Sequence, residues 1–455
     1  MLPSDSQPMK IVLGLEPAAN GSWVGALDTD LTGPGLLRGS GTDARLKLEC
    51  AFGSSVSPIV LNRKAGETTM SALLTYSGFP IPVQLERSSD EWTDELHFQV
   101  ELPAKRPSTV TLAGLPDFWL EEIEAAVEQM LDRQSVVGLA MGIVVDGELF
   151  DDRAWGWSDV AQAEPVDGKT LFRWASISKS VTGLLAAKMA VRGQLDLDAD
   201  VRELVPEFPE KKHVVTTRLL LGHLGGIAHY QHMPRVTRKD YGVAFPFRDA
   251  VKAIDMFREA LLIHEPGSKY SYSTHGFALA GAVLQRSSDR GFQGEVQHKI
   301  AEPLGMSTFE ADDPLKRRPQ RTLGYRVTND GRTLESGDTD VSWKLAGGGF
   351  HSTVADLARF GAGLCDEDYV TDAERELAWT PLRTPDGKST GYGFGFQIER
   401  EEKLLRISHS GSQRRTRTML VAFPEERIAI ALMCNTEGTN LSGLSNKIAA
   451  ILLDK

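Results

Sequence analysis

Cysteine is scarce in this chain: three in 455 residues, at Cys50, Cys365 and Cys434, far apart and in apolar or mixed surroundings. No C-x-x-C pair or other close spacing occurs, so neither a disulfide scaffold nor a thiolate metal site is expected. Free buried thiols suit a reducing compartment. Also missing is any run of about 18 apolar residues, so no membrane-spanning helix is expected. The opening MLPSDSQPMKIVLGLEPAANG lacks a basic region followed by a long apolar stretch, the mark of a secretory leader. These absences together give a cytosolic protein as the expectation. Basic charge is in deficit, 50 residues against 62 acidic ones, for a net charge of -12. That argues against a general nucleic-acid binder, favours solubility, and slightly disfavours anionic substrates at long range. What is present is ordinary for a globular protein: 41% hydrophobic and 25% charged residues, enough for a sizeable core in two or three domain-sized units.

Residues 1–105 alternate apolar and polar side chains, as in Arg45–Cys50, IPVQLER and LHFQVEL, with turn residues in AANGSW and RSSDEW. The pattern predicts a small all-β domain, a sandwich or barrel, without a titratable cluster. Residues 106–116, rich in Pro, Ser, Thr and Gly, read as a linker. From 117 a helix is expected, capped by Asp117, with Leu120, Ile123, Val127, Met130 and Leu131 on one stripe. VVGLAMGIVV then reads as a buried strand turning at Asp146-Gly147 into ELFDDRAWGW. Residues near 200–340 carry helical and loop signals. RISHSG, RTMLVAF and RIAIALMCN return to strands, and SGLSNKIAAILLDK closes as a helix. One sheet built from both ends of a domain spanning 117–455, with a helical insertion, fits this order.

Three stations could carry chemistry. The first is Ser176-Ile177-Ser178-Lys179, where an apolar run becomes an amphipathic helix. At 3.6 residues per turn Ser176 and Lys179 share a face, and the positive end of the helix dipole favours neutral lysine, the form a general base needs. The second is Tyr272-Ser273-Thr274, where a hydroxyl could relay a proton if a nearby cation such as Lys179 lowered its pKa. The third is His409-Ser410-Gly411 at a strand end. Acyl transfer also needs an oxyanion site; the Ser176 N–H at a helix start and the N–H of the residue after Gly411 could supply it, with Gly411 leaving room for substrate against the backbone.

S-x-x-K, then Y-S-T, then H-S-G, in that order, resembles the serine β-lactamase-like and penicillin-recognising hydrolase superfamily, in its class C-related branch. LFRWASISKSVTGLLAAKMAVRGQLDLDADVRELVPEF, TTRLLLGHLGGIAHY, PGSKYSYSTHGFALAGAVL and WKLAGGGFHSTVADLARFG are similar to family segments, in family order, across 117–455. The mitochondrial type is the nearest in character, through GIAHY, YST and AGGGFHSTVADL. The resemblance implies an α+β fold: an antiparallel sheet flanked by helices plus a helical lobe, with the small all-β domain before it. It implies acylation of Ser176, Lys179 as base, Tyr272 sharing the proton, His409 in the place of the lysine of K-T-G, and an oxyanion hole from the Ser176 and Ser412 N–H groups.

Departures shape the functional expectation. Thr274 stands where many members carry asparagine, which helps hold the amide side chain of a β-lactam, so antibiotic turnover recedes. Arg415 and Arg417, expected on one strand face after Gly411, would be a clamp for a substrate carboxylate. The spacing of His223, His229 and His232 fits no zinc pattern. Gly347-Gly348-Gly349 lacks a P-loop lysine and precedes a capping box at Ser352-Thr353 with Asp356. Trp155, Trp157, Trp174 and Trp343 read as core or pocket wall. The sequence therefore supports a metal- and cofactor-independent serine hydrolase forming an acyl-enzyme on small esters, with no nucleic-acid or membrane partner. A serine peptidase or D-aminopeptidase, a weak β-lactamase, and a scaffold or filament-forming homo-oligomer remain open.

Overall fold

The computed structural model describes the strand backbone of residues 11–17, 22–29, 35–42, 45–52, 55–62, 69–76, 79–86 and 99. It describes the whole of residues 100–454 apart from 101, 104, 233–246, 248, 314, 315, 317, 329, 402 and 403 and the side chain of Gln231. Strands β1 (Ile11–Pro17), β2 (Ser22–Thr29), β3 (Gly35–Thr42), β4 (Arg45–Phe52), β5 (Ser55–Asn62), β6 (Thr69–Tyr76) and β7 (Phe79–Glu86) pair in sequence order. Instead of a sandwich or barrel, the described strands form one antiparallel meander, as short loops between consecutive strands favour. The Cys50 side chain, the turns in AANGSW and RSSDEW and most of LHFQVEL lie outside the described residues.

β8 (Gln99–Val100) pairs antiparallel with β16 (Thr333–Ser336), and β9 (Ser108–Leu112) pairs with β11 (Glu148–Asp159). The stretch read as a linker thus contains an edge strand. α1 (Asp117–Arg133) follows, but its N-cap is Pro116 and Asp117 already lies in the first turn, so the expected Asp117 cap is absent; its carboxylate still complements the dipole. β10 (Gly138–Val145) turns at Asp146-Gly147, both at positive φ as a tight hairpin requires, into β11 and β12 (Glu164–Pro165). β13 (Phe172–Arg173), β14 (Glu310–Ala311) and β17 (Phe350–Ser352) make a second small sheet. A third joins β15 (Gly324–Val327), β16, β8 and β22 (Thr436–Glu437). The C-terminal strands β18 (Gln397–Glu401), β19 (Leu404–Gln413), β20 (Thr416–Phe423) and β21 (Ile428–Cys434) complete the main sheet, in the order β12-β11-β10-β21-β20-β19-β18. The two ends of the chain segment meet where β10 pairs with β21.

Alternation along these strands sorts the core into two layers. Leu139, Met141, Ile143, Val421, Ile430 and Leu432 pack on α1 and on the helix Ser442–Leu453. Ala140, Ala154, Ala422, Ala429 and Ala431 face the opposite layer, where small side chains admit the helix Val354–Leu364. That helix is capped by Thr353 without a side-chain hydrogen bond; Asp356, expected to complete a capping box, instead accepts from the Thr308 N–H at 2.7 Å and hydroxyl at 2.6 Å. Among the described residues no helix is long and apolar enough to cross a membrane. Cys365 and Cys434 are free and buried.

α2 (Ser178–Val191), expected to be amphipathic, is buried along most of its length. Its polar residues are satisfied internally: Ser180 Oγ donates to Gly395 O at 2.6 Å, Thr182 Oγ1 to Ala346 O at 2.7 Å, and Lys188 pairs with Glu374 at 3.2 Å. Gly183 lets the helix approach the 394–396 segment, since a Cβ there would stand 1.9 Å from Phe394 O. Gly183→Ala should therefore reverse the usual sign. Alanine in an ordinary helix interior gains about 0.5–1 kcal/mol over glycine; here a loss of about 1–3 kcal/mol is expected from overpacking. A lowered urea midpoint at unchanged m-value checks it, and an unchanged midpoint contradicts the close contact.

Candidate active site

The nucleophile station is set by a short irregular segment. Ala175–Ile177 forms a 3-10 turn that runs into α2, so Ser176 precedes the helix proper. Ala175 is held at φ 48°, a left-handed conformation that costs a non-glycine residue about 1–3 kcal/mol. Neighbouring elements hold that geometry. Trp174 N–H donates to Phe350 O at 2.8 Å, Thr418 Oγ1 donates to Trp174 O at 2.9 Å, and Thr416 Oγ1 to Arg173 O at 3.0 Å. The Trp174 ring is fully buried, edge-on to Phe309 at 4.7 Å, with Nε1 donating to Ser352 Oγ at 2.7 Å.

Lys179 lies one turn on. Its Nζ is 3.1 Å from Ser176 Oγ and donates to Gly347 O at 2.6 Å. The side chain is completely buried. Burial, and secondarily the charge of Lys344, hold its pKa well below the ordinary lysine value. Tyr272 sits beside this amine, with Nζ 4.9 Å from the ring centroid, and the Ser176 hydroxyl acts on its phenol. The expectation that Lys179 would lower the Tyr272 pKa is overturned. Burial raises it, because a neutral lysine supplies no charge to offset desolvation of a phenolate. Both groups are neutral, and a neutral phenol can both donate and accept.

His409 closes the cluster, its ring centroid 6.5 Å from that of Tyr272. Nε2 lies 2.8 Å from the Tyr392 hydroxyl and Nδ1 lies 2.7 Å from Ser410 O. A carbonyl only accepts, so Nδ1 carries the proton and Nε2 accepts from Tyr392. Burial depresses its pKa to about 3, so His409 is neutral where the K-T-G form would place a cation.

Sequence reasoning missed the groups that hold these residues. His223 Nδ1 accepts from the Ser273 N–H at 3.1 Å and His229 Nδ1 from the Thr274 N–H at 3.3 Å. These histidines fix the backbone of the Tyr272 station, and burial holds both neutral. Their signal lay in GHL and GIAHY, which a search for metal spacing does not read. Tyr392, in the glycine-rich GYGFGF, was also passed over.

Four expected substrate contacts look different in place. Thr274 is buried in the first turn of the helix Thr274–Arg286, with Ser273 Oγ capping that helix through the Gly276 N–H at 3.0 Å. At Gly411 a Cβ would stand 1.9 Å from Thr418 Oγ1 and 2.5 Å from Trp174 O, so the missing side chain makes room for the segment that carries Ser176. Arg415 lies at φ 67° in the turn between β19 and β20, not on a strand face shared with Arg417. Its Nε donates to Ser336 O at 3.0 Å and its Nη1 is 3.4 Å from Asp338. Arg417 Nη1 donates to Gln413 O and Thr416 O at 2.8 and 2.7 Å. Both guanidinium groups are engaged within the protein, which overturns the carboxylate clamp. Ser412 is exposed, paired in register with Arg417.

A serine beside a buried lysine, a tyrosine next to that lysine and an antiparallel sheet with helices on both faces bear on the family at once, and the beta-lactamase family model matches residues 123–455. The chain belongs to the beta-lactamase family. It is 26% identical over 434 residues to the mitochondrial serine beta-lactamase-like protein LACTB of Homo sapiens, covering 72% of this chain and 79% of that one. It is also 26% identical over 335 residues to a D-aminopeptidase of Gluconobacter oxydans, covering 70% and 60%. Among solved structures, an octameric penicillin-binding protein homologue from Pyrococcus abyssi matches with a TM-score of 0.63 at 24% identity, over 74% of this chain and 78% of that one. The family is one of serine acyl-transferases and hydrolases, and the chain is a serine hydrolase of this fold.

The depressed Lys179 pKa has a thermodynamic signature. In the unfolded chain the amine holds its proton up to the ordinary value of 10.5, whereas in the native protein it has lost it well below that. The unfolded state thus binds more protons across this window, and stability falls as pH falls. Lys179→Met should flatten urea-derived stability between pH 7 and 9.5 relative to wild type, the difference approaching about 1.4 kcal/mol per pH unit for one full proton. Equal slopes in the two proteins would place a charged lysine in the native site.

Proposed function

We propose that the chain hydrolyses small esters through an acyl-enzyme at Ser176, as a carboxylesterase. The observation that carries the proposal is the neutral Lys179 amine 3.1 Å from Ser176 Oγ, with Gly347 O orienting its nitrogen. In this reading Ser176 Oγ attacks the ester carbonyl carbon as its proton passes to Lys179 Nζ. The tetrahedral oxyanion is held by the N–H groups of Ser176 and Ser412, a role supported by Gly411 packing directly on Trp174 and Ala175, beside the nucleophile. Tyr272, next to Lys179 and close enough to Ser176 for its hydroxyl to act on the phenol, passes the proton to the leaving alcohol. Water then attacks the acyl carbon along the same relay in reverse, restoring Ser176. His409, held by Tyr392 and Ser410 O, shapes the wall beside Tyr272 without carrying charge. No step requires a metal or cofactor.

A second reading, amide hydrolysis at the N-terminus of a D-amino-acid peptide, is favoured by the likeness to the Gluconobacter oxydans D-aminopeptidase. The two share the acyl-enzyme and differ in the leaving group.

A fluorophosphonate probe should label the wild type and leave Ser176→Ala unlabelled, and Lys179→Met should lower kcat/KM by about 10²-fold or more, the scale of general-base assistance. Absence of labelling in folded wild type removes both readings. A panel of p-nitrophenyl esters, D- and L-amino-acid p-nitroanilides and nitrocefin separates them: turnover of D-amino-acid anilides above that of esters selects the peptidase.

A further inference from the structure

With Arg415 and Arg417 engaged elsewhere, one cation stands out beside the site. Lys344 immediately precedes the helical turn Leu345–Gly348, whose Gly347 carbonyl receives Lys179. It is half-buried, and among the described residues no carboxylate lies within ion-pair distance of its Nζ. Its surroundings are aromatic: Nζ is 5.7 Å from the Tyr230 ring centroid and 5.8 Å from that of Trp343. Ring contacts then lead into the site. Tyr230 lies 3.9 Å from His229, and His229 lies 5.7 Å from Tyr272. The Lys344 charge acts on Lys179, His229 and His275, so it stands near the same cluster. Arg173, Asp340 and Asp312 also act on it, the two acids in one sense and the arginine in the other. A partly desolvated cation lacking a direct ion pair is costly unless something anionic joins it, and aromatic faces alone offset only part of that cost.

We propose that Lys344 anchors an anionic group of the substrate, so that the site prefers esters or amides whose acyl or leaving part carries a carboxylate. This rests on the Ser176 acyl-transfer reading for its chemistry, but the anchoring can be measured without turnover. Burial, with the nearby Arg173, draws the Lys344 pKa down to about 8, so it remains largely charged at neutral pH. The -12 net charge of the chain repels anions at long range, and a local cation is what a short-range exception requires.

The test uses the full chain carrying Ser176→Ala, so that ligand is bound and not consumed. Glutaryl-4-nitroanilide and its uncharged methyl ester are titrated calorimetrically into this protein and into the same protein with Lys344→Met or Lys344→Arg. The anion should bind at least about tenfold more tightly than the methyl ester, the scale of one charge-assisted contact. Lys344→Met should erase that preference without weakening the ester, and Lys344→Arg should retain it. Equal binding of the two ligands to the Lys344 protein overturns the proposal, as does an equal loss of both on Lys344→Met. Should wild type fail to label with fluorophosphonate while the anion preference and its loss persist, the acyl-transfer reading falls and the anchoring stands.

Discussion

The arrangement depends on a lysine nitrogen held in the protein interior with no countercharge paired to it among the described residues. Lys179 has a carbonyl, a serine hydroxyl and aromatic rings around it, and the electrostatic influences on it are burial and another cation. An ammonium there would carry a large desolvation cost, so the group surrenders its proton instead. A neutral amine needs one acceptor to orient it and leaves its lone pair for Ser176. Much of the surrounding structure follows from keeping that environment dry and uncharged: α2 is buried, its hydroxyls are satisfied internally, and His223, His229 and His409 are kept neutral by the same burial.

The second constraint is positional. Ser176 occupies a strained turn, and a strained residue persists only where its neighbours over-determine it. Here the determination comes from β20, whose Thr416 and Thr418 hydroxyls grip consecutive carbonyls before Ala175, and from β17 through Phe350 O. Gly411 belongs to the same device, since a side chain there would separate the sheet from the turn. The sheet assembled from the two ends of the 117–455 segment therefore sets the position of Ser176, and the helical layer supplies Lys179 and helps hold Tyr272.

The motif residues Ser176, Lys179, Tyr272 and His409 were legible because their chemistry is tied to their order along the chain, and the structure brings all four together. The strands β10, β11 and β19–β21 were legible from continuous apolar runs and a hairpin turn. What could not be read was whatever depends on contacts distant in sequence. Arg415 and Arg417 look like a free pair on a strand until the turn places one of them against Ser336 and Asp338 and the other on local carbonyls. His223 and His229 fit no metal pattern and have no evident role until the fold sets them under the backbone of Ser273 and Thr274. The direction of the Tyr272 shift was missed for a related reason. Proximity to a lysine suggests a lowered pKa, and only the burial of both groups shows that the lysine carries no charge to lower it with.

That neutrality bears on how such a site handles charge during reaction. In the proposed mechanism, attack on a carbonyl moves a proton from Ser176 to Lys179 while negative charge grows on the carbonyl oxygen, so an ion pair is created where none existed. In a low-dielectric interior the attraction between the new ammonium and the new oxyanion is strong at short range. The neutral ground state has nothing comparable to lose, and the interaction is therefore concentrated in the transition state, where it accelerates the step instead of merely tightening binding. A permanently charged lysine at the His409 position would stabilise the oxyanion too, but it would raise the cost of protonating Lys179. A neutral His409, with its proton fixed toward Ser410 and its other nitrogen occupied by Tyr392, avoids that opposition and leaves Lys344, farther out and in partial contact with solvent, as the cation that acts on Lys179.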